Sequence, residues 1–166
     1  MAARKGRRGT QRNAKESKGM ISENEIGRRV LDAAYKVHTA LGPGLLETVY
    51  EVILAHEIAE NGLAVERQKP IPIHYGGKVF LEGFRADLLV ENKVIVELKS
   101  CETLLPVHGK QLLTQLRLSD RKLGFLINFG AVHLRQGIKR VVNGLPEEET
   151  SREGRQGREG GEEIEL

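Results

Sequence analysis

Two apolar runs joined by a short polar loop constrain this chain more than any other feature: Phe84-Arg85-Ala86-Asp87-Leu88-Leu89-Val90 and Val94-Ile95-Val96-Glu97-Leu98-Lys99, with Glu91-Asn92-Lys93 between them. Their β-branched and aliphatic content reads as two strands of a hairpin. Side chains alternate along a strand, so Ile95, Glu97 and Lys99 share one face while Val94, Val96 and Leu98 share the other. If Val90 pairs with Val94, then Leu89 faces Ile95, Leu88 faces Val96, and Asp87 falls opposite Glu97. Like charges directly opposed destabilise a sheet. A half-buried pair of acids therefore needs a shared proton or a cation. Mg²⁺, a hard ion that takes carboxylate, water and phosphate oxygens, suits such a pair. Lys99, on the same face, adds an ammonium that can orient a water or neutralise a phosphorane, which completes the inventory for metal-assisted phosphodiester hydrolysis. The same residues also fit a solvent-exposed strand face with an ordinary Glu97/Lys99 pair. Glu-x-Lys alone is common, and Asp87 inside an apolar run is what sets the pattern apart.

The elements around this hairpin follow from periodicity. Ser22-Glu23-Asn24-Glu25 has the form of a capping box, and Ile26, Val30, Ala33, Ala34, Val37 and Leu41 recur at helical spacing, which predicts a helix over about 23–40. His38 near its end suits the helix dipole. Gly42-Pro43-Gly44 breaks the chain, and a second helix is expected from Leu45 to a stop at Asn61-Gly62. Glu47 falls in its first turn, where an anion is favoured, and Tyr50 shares the Glu47 face. On spacing alone both are ordinary first-turn and packing residues. From Leu63 the period becomes alternating. Val65 to Tyr75, with Pro70 and Pro72, reads as an edge strand, Glu66, Arg67, Gln68 and Lys69 as a solvated edge, and Gly76-Gly77 as a tight turn into Lys78-Val79-Phe80-Leu81. Gly83 suggests a bulge that aims Asp87. After Lys99, Pro106 opens a helix with His108, Gln111 and Gln115 on one polar face, able to look toward Glu97 and Lys99. Leu123 to Phe129 is apolar throughout, as in a strand covered on both sides. Val132 to Val142 is ambiguous, with Gln136-Gly137 a candidate turn between two short strands.

Length and charge set the outer limits. The 166 residues give room for one domain, and with only 4% aromatic content and no Trp the core rests on Leu, Ile, Val and Ala. A single cysteine, Cys101, excludes an internal disulfide framework and fits a reducing compartment. No apolar run approaches a membrane span or a signal core, so a cytoplasmic protein is expected without a membrane partner. The net charge of +3 is modest, but its placement is uneven. A basic arm, 1–21, and an acidic tail, 146–166, are expected to be disordered around a folded domain at 22–145. The arm could contact nucleic-acid phosphates.

Taken together, Asp87, Glu97-x-Lys99 on the next strand and a following helix bearing Gln111 resemble the PD-(D/E)XK nuclease superfamily, with its restriction-endonuclease-like fold. More narrowly, Gly44-Leu45-Leu46-Glu47-Thr48-Val49-Tyr50 matches the GxxExxY signature. Leu41-Gly42-Pro43-Gly44 and Leu123-Gly124-Phe125-Leu126-Ile127-Asn128-Phe129-Gly130 are similar to that family's flanks. The likeness covers about Glu25 to Leu145. It implies an α/β fold with a mixed sheet: a three-stranded antiparallel meander, a crossover helix and a further strand, in the order α-α-β-β-β-α-β with an extra terminal strand. It implies that Asp87 and Glu97 bind Mg²⁺ or Mn²⁺, that Glu47 supports the metal or its waters, that Lys99 positions water or stabilises the transition state, and that Gln111 orients Lys99 or a phosphate. Two departures from the pattern matter: Ala86 stands where the superfamily name has Pro, and on the helix Lys110-Gln111 with Gln115 stand where the family has Ala-Gln and Tyr. The expected function is a metal-dependent nuclease, acting on DNA in preference to RNA, in repair, recombination or defence. The alternatives are a non-catalytic nucleic-acid-binding module and an interaction subunit on the same fold. Oligomeric state is not legible.

Overall fold

The structure, a computed structural model, describes residues 20–145. The expectations for the tail and for residues 1–19 of the arm lie outside these residues, whereas Ile21, expected in the arm, packs against the core and its carbonyl accepts from Lys93 Nζ at 2.7 Å. In chain order come helices α1 (Glu23–Leu41) and α2 (Glu47–Glu60), strands β1 (Val65–Tyr75), β2 (Lys78–Val90) and β3 (Val94–Lys99), helix α3 (Pro106–Leu118), strand β4 (Leu123–Asn128), a 3₁₀ turn (Leu134–Gly137) and strand β5 (Ile138–Val142). One sheet holds all five strands in the order β1-β2-β3-β4-β5. The β3–β4 pair is parallel and the other three pairs are antiparallel. The expected mixed sheet is therefore present. No helix among the described residues is long and apolar enough to cross a membrane.

The two faces of the sheet carry separate cores. On one, Ile26, Val30 and Val37 of α1 and Tyr50, Leu54 and Ile58 of α2 pack on Val94, Val96, Leu98, Leu123, Phe125 and Ile127. On the other, Leu112 and Leu116 of α3 pack on Leu89, Ile95, Leu126 and Val141. This division is the strand alternation of β3 and β4 made visible, and it places Glu97 and Lys99 on the α3 side by the same rule. The margins of the sheet are β1, with Pro70 and Pro72, and β5, with Lys139 and Arg140.

The β2–β3 register is the expected one: Val90↔Val94, Leu89↔Ile95 and Leu88↔Val96. The loop achieves it with Glu91 and Asn92 both at positive φ (51° and 53°) and Lys93 N–H donating to Val90 O at 3.0 Å. The ladder ends there, one pair before Asp87 and Glu97. The irregularity expected near Gly83 is also found. The β1–β2 register shifts between Ile71 and Ile73, and a Cβ at Gly83 would lie 2.8 Å from Ile71 O.

Three expectations need correction. The second helix begins at Glu47 rather than Leu45, because Leu46 takes the extended N-cap conformation. Val132 to Val142 holds one strand, not two, since Gln136-Gly137 closes the 3₁₀ turn. Arg67 and Gln68 are not merely a solvated edge, as their contacts below show.

Candidate active site

The site begins where two strands lose their regular alternation. In β2, Ala86 belongs to the core under α3, yet Leu88, two residues on, belongs to the core under α1 and α2. Asp87 lies at the switch. Opposite it, Gln68 is the one residue of its stretch of β1 without a ladder partner, and its φ is 49°. A left-handed non-glycine residue inside a strand is uncommon. The paired kink turns the Asp87 carboxylate toward the end of β3. There Asp87 Oδ2 accepts the Leu98 N–H at 2.8 Å, and Asp87 Oδ1 accepts from Gln68 Nε2 at 3.2 Å. The side chain thus satisfies a β3 backbone donor that lies beyond the end of the β2–β3 ladder.

Glu97 lies within electrostatic reach of the Asp87 carboxylate. Burial pushes the Glu97 carboxyl up to about 8, the neighbouring Asp87 charge pushes in the same direction, and Lys99 opposes them. Glu97 Oε1 is buried without a hydrogen-bond partner. It shares a cavity of about 30 Å³ with Lys99, His108, Gln111, Leu112, Gln115 and Leu126. Gln115 Oε1 is likewise buried and unpartnered. The polar face of α3 therefore does look toward Glu97 and Lys99. Gln111 lines the cavity, but its side chain makes no hydrogen bond to Lys99.

Lys99 Nζ donates to Leu98 O at 2.8 Å and lies 3.9 Å from Glu47 Oε1. An ammonium has three donors, so the Leu98 bond leaves others free for water or a phosphate oxygen. Glu47 is held in place through its own loop. Tyr50, fully buried, donates to Gly42 O, accepts from Leu45 N–H at 3.2 Å, and stacks on Phe129 at 4.4 Å between centroids. Gly42 and Gly44 adopt positive φ (64° and 110°) to make this turn. Ser100 Oγ then donates to Leu45 O at 2.7 Å, fastening the start of α2 to the residue after Lys99. Tyr50 is thus more than ordinary packing.

Of the expected residues, the structure brings Asp87 and Glu97 together, pairs Glu47 with Lys99, and adds Gln111 at the cavity rim. Among the described residues no three His, Cys, Asp or Glu side chains are grouped closely enough to hold an ion. Glu47, Asp87 and Glu97 are therefore not assembled as a three-carboxylate cluster, because Glu47 turns to the Lys99 ammonium. Sequence reasoning missed Glu51, which is only 4% exposed. Its Oε1 takes Arg67 Nε at 2.9 Å and its Oε2 takes Gln68 Nε2 at 2.7 Å. An acid on the same helical stripe as Leu54, Ala55 and Ile58 was the available signal. A buried carboxylate requires donors, and they come from β1.

Comparison with known families bears on the same residues. The family model of the PD-(D/E)XK nuclease superfamily matches residues 24–141. The chain belongs to that superfamily. No curated protein and no solved structure gives a significant match. The five-stranded mixed sheet flanked by helices is consistent with the restriction-endonuclease-like fold of the superfamily, and membership implies a nucleic-acid substrate. PD-(D/E)XK nucleases generally use divalent metals. The residues present fit such an ion: Glu97 Oε1 is a buried acceptor lacking a donor, beside a second carboxylate. A hard cation with oxygen ligands would relieve both the missing partner and the repulsion.

Proposed function

We propose that this member of the superfamily is a metal-dependent nuclease of the GxxExxY group, hydrolysing phosphodiester bonds in DNA in preference to RNA, with Asp87, Glu97, Lys99, Glu47 and Gln111 as its site. The observation that carries this reading is the buried, partnerless Glu97 Oε1 beside Asp87, with the Lys99 ammonium on the same strand face. Asp87 and Glu97 would hold Mg²⁺ or Mn²⁺, which supplies positive charge at the phosphate and eases ionisation of the attacking water. Lys99 orients that water and offsets charge on the phosphoryl oxygens. Glu47, 3.9 Å from it, keeps the ammonium over the site rather than in solvent. Gln111, exposed at the cavity rim, is placed to touch a phosphate. In the overall reaction the water oxygen bonds to phosphorus, the ester P–O bond breaks, and the departing oxygen takes up a proton. The folded unit at 22–145, the cytoplasmic location and a role in repair, recombination or defence belong to the same reading.

The test is cleavage of single-stranded, duplex and branched DNA, and of RNA, with Mg²⁺ or Mn²⁺. Glu97→Ala and Lys99→Ala should each lower the rate by about 10²- to 10³-fold or more, the scale of losing one electrostatic stabiliser. Wild type and the double variant being equally inactive on every substrate, with salt-sensitive binding retained, would instead leave a non-catalytic binding module.

A further inference from the structure

We propose that Gln68 is a positioning residue for Asp87, tying it through one amide nitrogen to the buried carboxylate of Glu51. The inference rests on the nuclease reading above and adds a supporting residue to that site. Gln68 Nε2 lies 2.7 Å from Glu51 Oε2 and 3.2 Å from Asp87 Oδ1. Both partners are carboxylates, so each of the two amide hydrogens is committed to a different acid and the amide can face only one way. The remaining oxygens are held from the far sides, by Arg67 Nε on Glu51 and by the Leu98 N–H on Asp87, at 2.9 and 2.8 Å. An unbroken line of hydrogen bonds thus joins β1, α2, β2 and the end of β3, and Asp87 occupies its active-site end.

The backbone makes the same point independently. Gln68 has φ 49°, a conformation that glycine or asparagine adopts far more readily. Its carbonyl accepts from Arg85 Nη1 at 2.9 Å, which locks the kink. The residue found there has a side chain long enough to span two acids. It is also neutral. A lysine or arginine would bind both acids more strongly, but its charge would offset the negative charge that a cation at Asp87 and Glu97 requires. An amide orients the carboxylate and leaves that charge intact.

The experiment is Mn²⁺ titration by calorimetry on the full chain, with melting temperatures recorded in parallel, for wild type, Gln68→Gly, Gln68→Lys and Asp87→Asn. Gln68→Gly frees the backbone and removes the amide. It should stay folded and bind Mn²⁺ about 10- to 100-fold more weakly, the usual loss for a residue that orients a ligand. Gln68→Lys, whose ammonium can still span both acids, should also bind Mn²⁺ more weakly, and it carries the comparison if the glycine variant does not fold. Wild-type Mn²⁺ affinity in a folded Gln68→Gly, or in Gln68→Lys where the glycine variant does not fold, while Asp87→Asn loses binding, would overturn the role of Gln68 and leave the nuclease reading standing. Unchanged affinity in Asp87→Asn would overturn that reading itself.

Discussion

Glu97 has the most unusual environment of any side chain in the site, and it gives a stability signature that needs no substrate. Its carboxyl is raised from the ordinary value of 4.5 to about 8 in the folded protein. Below pH 4.5 it is protonated folded and unfolded alike, so its contribution is fully present. Between 4.5 and about 8 the unfolded chain gives up the proton while the folded chain keeps it, so stability falls as pH rises, and above 8 the loss is complete. The full effect is on the order of a few kcal/mol. Glu97→Gln should remove this slope. In chelator, the melting temperature of the variant minus that of wild type should grow from pH 5 to pH 8.5, and Mn²⁺ should narrow the gap by stabilising wild type alone. A gap that does not change with pH would mean that Glu97 is solvated.

At the scale of elements, the start of α2 depends on a single phenol. Tyr50→Phe deletes the bonds to Gly42 O and Leu45 N–H and should cost about 1–3 kcal/mol in urea denaturation. It should also lower cleavage beyond what the lost stability explains, since the loop carries Glu47 to Lys99. Much of the element pattern could be read in advance. The alternating apolar runs, the polar loop of Glu91-Asn92-Lys93 and the capping Ser22 fix the β2–β3 register and the start of α1, because local chemistry decides both. Gln68 could not be read that way. Alternation assumes a regular strand, and Gln68 and Asp87 depart from it for reasons that lie in Glu51, on another element. Likewise Gln136-Gly137 carries a turn signal that does not distinguish a hairpin from a 3₁₀ turn. The proximity of Asp87, Glu97 and Lys99, the core of the proposed site, follows from the hairpin register, whereas Glu47 stood out only through the family resemblance.

At the scale of the molecule, one sheet separates two cores, and the proposed active site opens where β3 ends beside α2 and α3. The α1 layer approaches the sheet through Gly27, where a Cβ would lie 2.9 Å from the Phe125 ring and 3.3 Å from Leu123 Cδ2. Gly27→Val should therefore destabilise the whole domain by about 1–3 kcal/mol through overpacking, lowering the melting temperature in one cooperative transition without altering the Mn²⁺ affinity of the folded protein. The margins of the sheet have a different consequence. Prolines interrupt the row of amide donors on β1, and β5 is short and carries exposed Lys139 and Arg140. The far side of β2 is less protected: its ladder with β3 covers only Leu88–Val90, so exposed Val79, Phe80 and Leu81 lie on a stretch that β3 does not cover, and it is there, rather than at β1 or β5, that crowded copies would stick together.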